Sequence, residues 1–322
     1  MTDDSESSAA ALGDRQIIAV WDMVTDRVAT NGFPISLTNL ELRTVGLGGA
    51  VSTDSITEGE DAAPDDYEGQ GPDGYGDANN DVLPDDPNVM AYYRFEPDAM
   101  LVDSSGNGNT LNVYDGAPAI DTSNYIEGAG GLYLRRVSDA DCLNIPWANI
   151  SDNFPTKSGA GSGTTFSLCY WVKFNTLPDA HDSPNFHTSG CFGFQGSFDT
   201  GLRNLTNWGG NIAFYFRKWT DDYYDHASPV QTGRWYHVAF TYDSADDSYR
   251  IRVYDNTAGS ILGVDKTGVL TTPIPQAGMV PLIGVAYSSD ALDGYMDELI
   301  VFNKVLSVEE IDAIRNGTYV IV

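Results

Sequence analysis

Apolar and polar positions alternate with period two along much of the chain beyond residue 88. Phe166, Leu168, Tyr170, Val172 and Phe174 share one face of a predicted strand, and Ser167, Cys169, Trp171 and Lys173 share the other. Tyr236, Val238, Phe240 and Tyr242 oppose Trp235, His237, Ala239 and Thr241 in the same way. Similar runs predict strands at residues 89–95, 132–136, 191–194, 212–219, 249–254, 282–286 and 295–302. Helical periodicity is almost absent. Many short strands separated by Gly, Asn and Pro turns predict an all-β fold, an antiparallel two-sheet jelly-roll sandwich. One short helix should close the chain. Ser307 and Glu310 form a capping box, Leu306 can staple to Ile311, and Gly317 after Asn316 supplies the stop.

The last strand is apolar on both faces, with Met296, Ile300 and Phe302 on one and Tyr295, Leu299 and Val301 on the other. It should therefore be central. Inside it sit Asp297 and Glu298, a pair that a buried strand carries only if something offsets desolvation. A bound cation or a catalytic role would each explain them.

The N-terminal region differs. Residues 1–57 read as an acidic tail, disordered or partner-ordered to about residue 14, followed by a small β-containing arm with strands near 16–21, 37–45 and 50–57. Residues 58–88 are rich in Asp, Gly and Pro, the chemistry of a linker. Within them Asp77, Asn79, Asp81 and Asp85 stand at relative positions 1, 3, 5 and 9, the spacing by which a tight loop wraps calcium. This loop resembles the short calcium-binding repeats of the thrombospondin type 3 kind, although Val82 stands where those usually carry Gly. A solvated linker is the competing reading. The main domain is expected at 89–322.

Composition narrows the partners. The net charge is -29, and the 46 acidic residues divide into 36 Asp and 10 Glu, against 5 Lys. Such a chain does not suit nucleic acid or an anionic membrane surface, and no apolar run reaches membrane-spanning length. The Asp excess suits turns and metal ligation. Cys142, Cys169 and Cys191 leave at least one thiol unpaired; Cys169 and Cys191 can be imagined as a bridge or as buried free thiols. The first residues lack the basic start and apolar core of a secretory signal, which leaves non-export, prior removal of a signal, or release within a virus particle.

Five motifs follow one another along the chain: Tyr92-Tyr93-Arg94-Phe95-Glu96, Val102-Asp103-Ser104-Ser105-Gly106-Asn107-Gly108-Asn109, Ile126-Glu127-Gly128-Ala129-Gly130, Trp235 to Asp243, and Asp293 to Asn303. In this order they resemble the laminin-G-like, concanavalin A-like lectin/glucanase jelly-roll domain, over about residues 89–318. The resemblance implies two curved antiparallel sheets and, at their edge, a structural calcium. Carried over, the ligands would be Asp103 and Asn107 from the loop and Asp297 from the late strand. An Asx-turn loop without metal is the alternative.

The same superfamily contains glycoside hydrolases, whose retaining members set two carboxylates on one face of a strand. No Glu-x-Asp-x-Glu motif exists here, and strict alternation would send Asp297 and Glu298 to opposite faces. His237 reads as a packing residue, and His181, His187 and His226 as loop residues. The chain therefore reads as a non-enzyme. Binding fits better. Trp208, Trp219, Asp221, Tyr223 and Tyr224 cluster in sequence, combining aromatic faces that stack on sugar rings with a carboxylate for their hydroxyls.

The expected function is a non-catalytic, surface-displayed carbohydrate-binding jelly roll with a glycan or cell-surface polysaccharide as ligand. Residues 1–88 would tie it to other protein subunits, as in a capsid decoration or tail appendage of a phage virion, with a homo-oligomer a further option. A secreted or cell-surface adhesin, or a purely structural assembly subunit, are the alternatives. Either way the expected location is extracellular or the virion surface.

Overall fold

The five residues of the Phe166–Phe174 strand that alternate onto one face are all buried in the main core, together with Tyr236, Val238, Phe240 and Tyr242 of its neighbour. The computed structural model describes residues 82–136, 140–159, 164–179, 188–206, 211–218, 225–226, 229–263, 265–285 and 291–321, and in backbone only 8–12, 15–21, 40–46, 51–54 and 222–224. The chain divides into two units, residues 1–66 and 67–322.

In the first unit β1 (Ser8–Leu12), β2 (Arg15–Trp21), β3 (Leu40–Gly46) and β4 (Val51–Asp54) form an antiparallel sheet in sequence order. β1 replaces part of the expected disordered tail. Its register pairs Leu12 with Arg15 and Ser8 with Ala19.

In the second unit the strands are β5 (Val89–Tyr93), β6 (Asn112–Asp115), β7 (Ala119–Asp121), β8 (Gly131–Leu134) and β9 (Cys142–Asn144). They continue as β10 (Phe166–Phe174), β11 (Thr188–Phe194), β12 (Phe198–Asn204), β13 (Ile212–Lys218) and β14 (Asp222–Asp225). The last are β15 (Trp235–Asp243), β16 (Ser248–Asp255), β17 (Ser260–Ile261), β18 (Lys266–Val269), β19 (Pro281–Ile283) and β20 (Gly294–Phe302), before the helix α1 (Val308–Arg315).

A nine-stranded sheet runs β17-β16-β15-β10-β20-β8-β7, with β18 beside β16 and β5 beside β20. The seven-stranded sheet runs β14-β13-β12-β11-β19-β9-β6. Phe166 of the first sheet stacks on Phe198 of the second with ring centroids 4.3 Å apart, which fixes how the two layers meet. β12 is absent from the strands that alternation predicts. Its Asp, Thr and Gly resemble turn chemistry, yet Gly201 lies where a Cβ would come within 2.2 Å of the Ser189 carbonyl, so the glycine serves close approach to β11.

Part of the outer face of the nine-stranded sheet is covered by the C-terminal helix. Ile311 and Ile314 of α1 pack with Leu306 and Tyr319 on Tyr92, Cys169, Ala239, Ile300 and Phe302. The expected capping box is present, Glu310 N donating to Ser307 Oγ at 3.1 Å and Ser307 N to Glu310 Oε2 at 2.7 Å. Cys142, Cys169 and Cys191 are free and buried, so the imagined bridge is absent; Cys169 faces α1 while Cys191 faces the inter-sheet core. Burial raises all three thiols, Cys191 to about 12, which leaves them unreactive.

Candidate functional site

Strict alternation fails in β20. Asp297 pairs with Trp171 and Ile300 with Cys169, so Glu298 and Leu299 together stand opposite the single Tyr170. Glu298 takes a left-handed conformation, φ 49°. This bulge shifts the phase of the strand by one residue. Met296, Leu299 and Val301 consequently face the inter-sheet core, while Ile300 and Phe302 face α1 and Tyr295 joins the outer aromatic cluster. The expected grouping of these residues is thereby corrected. So is the expected separation of the acids, because the bulge leaves Asp297 and Glu298 on the same outer face.

The two acids are held differently. Asp297 Oδ2 accepts from Ile126 N at 2.7 Å and Glu127 N at 3.1 Å, and its Oδ1 from Glu298 N at 3.0 Å. Glu298 Oε2 accepts from the Tyr92 hydroxyl, and its Oε1 lies 3.9 Å from Arg94 Nε. Arg94 also meets Glu127 at 3.4 Å. Glu96 accepts from Ala129 N at 2.8 Å, in a turn where Gly128 has φ 73° and a Cβ would overlap the Glu96 carboxylate. Burial, then the neighbouring Glu127 charge, pushes both Asp297 and Glu298 well above the usual carboxylate range. The Arg94, Glu96 and Glu127 partners sit in the motifs singled out in the sequence, but their convergence on Asp297 and Glu298 is visible only in the fold.

Two carboxylates on one face would be the arrangement of a glycosidase if substrate could reach them. Here it cannot. Asp297 is 0 % and Glu298 3 % exposed, with three backbone N–H groups turned onto Asp297. His237 is likewise buried, 5.0 Å from the Trp171 ring, and burial pushes it down to about 3, so it stays neutral. His226 is buried, and His181 and His187 lie outside the described residues.

The residues expected to hold calcium do not converge. Asp103 Oδ1 accepts from Tyr92 N and Ser105 N, both at 3.0 Å, and Oδ2 from Asn109 N at 2.8 Å. Asn107 turns its amide nitrogen to Val89 O at 2.7 Å. These groups bind the open edge of β5, whereas Asp297 belongs to β20 on its other edge. Donor hydrogens, not open lone pairs, surround both carboxylates, so the three residues do not fit one calcium ion. The loop is instead an Asx-type cap on an edge strand. Of the second expected set, Asp85 closes a short turn at Leu83–Asp85, and Asp77, Asn79 and Asp81 lie outside the described residues.

Of the expected glycan contacts, Trp208, Trp219 and Asp221 lie outside the described residues. Tyr223 and Tyr224 fall on β14, the edge strand, in register with Arg217 and Phe216 of β13. The described neighbourhood is polar and ordered. Arg217 pairs with Asp199, and Arg203 Nη1 with Asp225 Oδ2 at 3.3 Å. Asp225 Oδ1 accepts no hydrogen bond among the described residues, and burial raises this carboxyl above its usual range.

Comparison with known proteins agrees with this architecture. A family model described as concanavalin A-like lectin/glucanases superfamily matches residues 149–312. Among solved structures, domain 4 of AbnA, an extracellular GH43 arabinanase from Geobacillus stearothermophilus solved with arabinotriose, is 21 % identical with a TM-score of 0.49, covering 71 % of this chain and 98 % of that one. The receptor-binding domain of botulinum neurotoxin C/D mosaic serotype is 17 % identical with a TM-score of 0.46, covering 74 % of this chain and 52 % of that one. A heptameric SAP-like pentraxin from Limulus polyphemus is 19 % identical with a TM-score of 0.33, covering 46 % and 67 %. No curated protein sequence matches. With its two antiparallel sheets, capped C-terminal helix and a family match over half its length, the chain belongs to the concanavalin A-like lectin/glucanase superfamily.

Proposed function

We propose that the chain is a non-catalytic glycan-binding module displayed on a surface, with its N-terminal unit attaching it to other subunits of a larger assembly such as a phage virion. The superfamily spans lectins and glucanases, so the state of the acids bears on the choice. The burial of Asp297 and Glu298, closed off by the Ile126–Glu127 backbone, carries the reading against hydrolysis. The binding surface we assign to the edge hairpin of β13 and β14. There Tyr223 stands in register with Arg217, which pairs with Asp199, and Tyr224 with Phe216, while Asp225 pairs with Arg203. Aromatic positions on a strand that also carries charged pairs suit sugar rings and their hydroxyls.

The test is a glycan array with the full chain and with a Tyr223→Ala/Tyr224→Ala variant. Retention of a discrete glycan class by the parent and its loss in the variant supports the reading. A chain that assembles into regular oligomers and retains no glycan would favour a purely structural subunit.

A further inference from the structure

A second set of side chains, on the sheet opposite the β13–β14 hairpin, forms a straight row across the strands. Trp235 of β15 stands opposite Lys173 of β10, Lys173 opposite Tyr295 of β20, and Tyr295 opposite Tyr133 of β8. With strands about 4.8 Å apart the row spans roughly 14 Å. Tyr133 and Tyr295 are stacked with centroids 5.0 Å apart, and both are half-buried. Lys173 Nζ lies 5.8 Å from the Trp235 ring centroid and 5.9 Å from that of Tyr295.

Trp235 is 2 % exposed and forms the buried end of the row. The ammonium of Lys173 lacks an acceptor of matching charge among the described residues. Lys173 donates to the neutral Asn124 Oδ1 at 3.0 Å and pairs with no carboxylate among the described residues. In a chain of net charge -29 an ammonium with no carboxylate partner among the described residues stands out. The nearby Asp121 does not fill that role, since its Oδ1 accepts from Ser123 N at 2.7 Å and Asn124 Nδ2 at 3.2 Å, which turns the Asn124 oxygen toward Lys173.

We propose that this row binds a carboxylate-bearing saccharide, a sugar chain of the uronic acid class. Lys173 Nζ supplies the counter-charge, and Tyr295 and Tyr133, both half-buried, supply the stacking surface for the sugar rings. A neutral sugar would use the rings but leave the ammonium uncompensated. The site is independent of the β13–β14 surface.

The test is calorimetric titration of the full chain with galacturonate, glucuronate and mannuronate oligomers, and with a neutral galactose oligomer of equal length. One acidic oligomer should bind about tenfold or more tightly than the neutral one, and Lys173→Met should remove that preference. Tyr133→Ala removes the half-buried end of the stacking surface and should weaken binding several-fold. Equal binding of neutral and acidic chains, no binding of any acidic oligomer, or a Lys173→Met variant with parental melting temperature and undiminished preference would each overturn the proposal.

Discussion

The hydroxyl of Tyr92 donates to the carboxylate of Glu298, joining β5 to β20 on the outer face of the nine-stranded sheet. The contact exists because the bulge at Glu298 turns its side chain to the face that also carries Asp297. Glu298 and Glu127 share the Arg94 guanidinium while Asp297 is held by backbone N–H groups, so the buried cluster is short of positive charge and favours retaining a proton.

That shortage predicts an unusual pH dependence. Both Asp297 and Glu298 titrate above their unfolded values near about 4, so folding takes up protons. Their stabilising contribution is complete below the unfolded pKa and is lost as pH rises through the folded values. The melting temperature should therefore fall on the alkaline side more steeply in the parent than in Glu298→Gln, which keeps an acceptor for Tyr92 and removes the charge. Parallel melting curves for the two proteins between pH 5 and about pH 9 would contradict this.

Asp297 has a structural role that a carboxamide cannot fully take over. Its two oxygens accept from three backbone N–H groups, whereas the side chain introduced by Asp297→Asn would offer one oxygen. Urea denaturation of Asp297→Asn should show a loss of roughly 1–3 kcal/mol, with the midpoint shifted at constant m. A change below about 0.5 kcal/mol would contradict the hydrogen-bonding role.

The edge of β5 is capped by Asp103 through N–H donors, so the domain should not need calcium there. Melting with and without chelator at matched ionic strength should give the same midpoint, and Asp103→Ala should lower it in both. A midpoint that rises with calcium and responds to Asp103→Ala only in its presence would restore the metal.

At the C-terminus the capping box supports a helix of little more than two turns. Ser307→Ala should cost about 1 kcal/mol in equilibrium unfolding. Ile311→Ala, which opens the packing against Phe302 and Tyr319, should cost roughly 2–5 kcal/mol. Equal effects of the two substitutions would mean that the helix contributes little by packing.

The sandwich and its last helix are legible in the sequence because their signals are local. The β10 and β15 alternations and the Ser307–Glu310 cap each lie within a few residues of sequence. The bulge is not legible, since Glu298 adopts its left-handed backbone without the Gly or Asn that usually marks one. One uncounted residue then reverses the assigned faces of Leu299, Ile300 and Val301. The Trp235–Lys173–Tyr295–Tyr133 row is invisible for another reason. It depends on the register of four strands drawn from residues 131 to 302, and no single segment carries it.

Binding without cleavage is tested most directly by incubating the full chain with an oligosaccharide it retains on the array and analysing both the bound fraction and the sugar recovered from it. The predicted result is saturable retention with the oligosaccharide recovered intact. Cleavage products that disappear in Glu298→Gln or Asp297→Asn would contradict it, and would mean that the buried acids open to substrate.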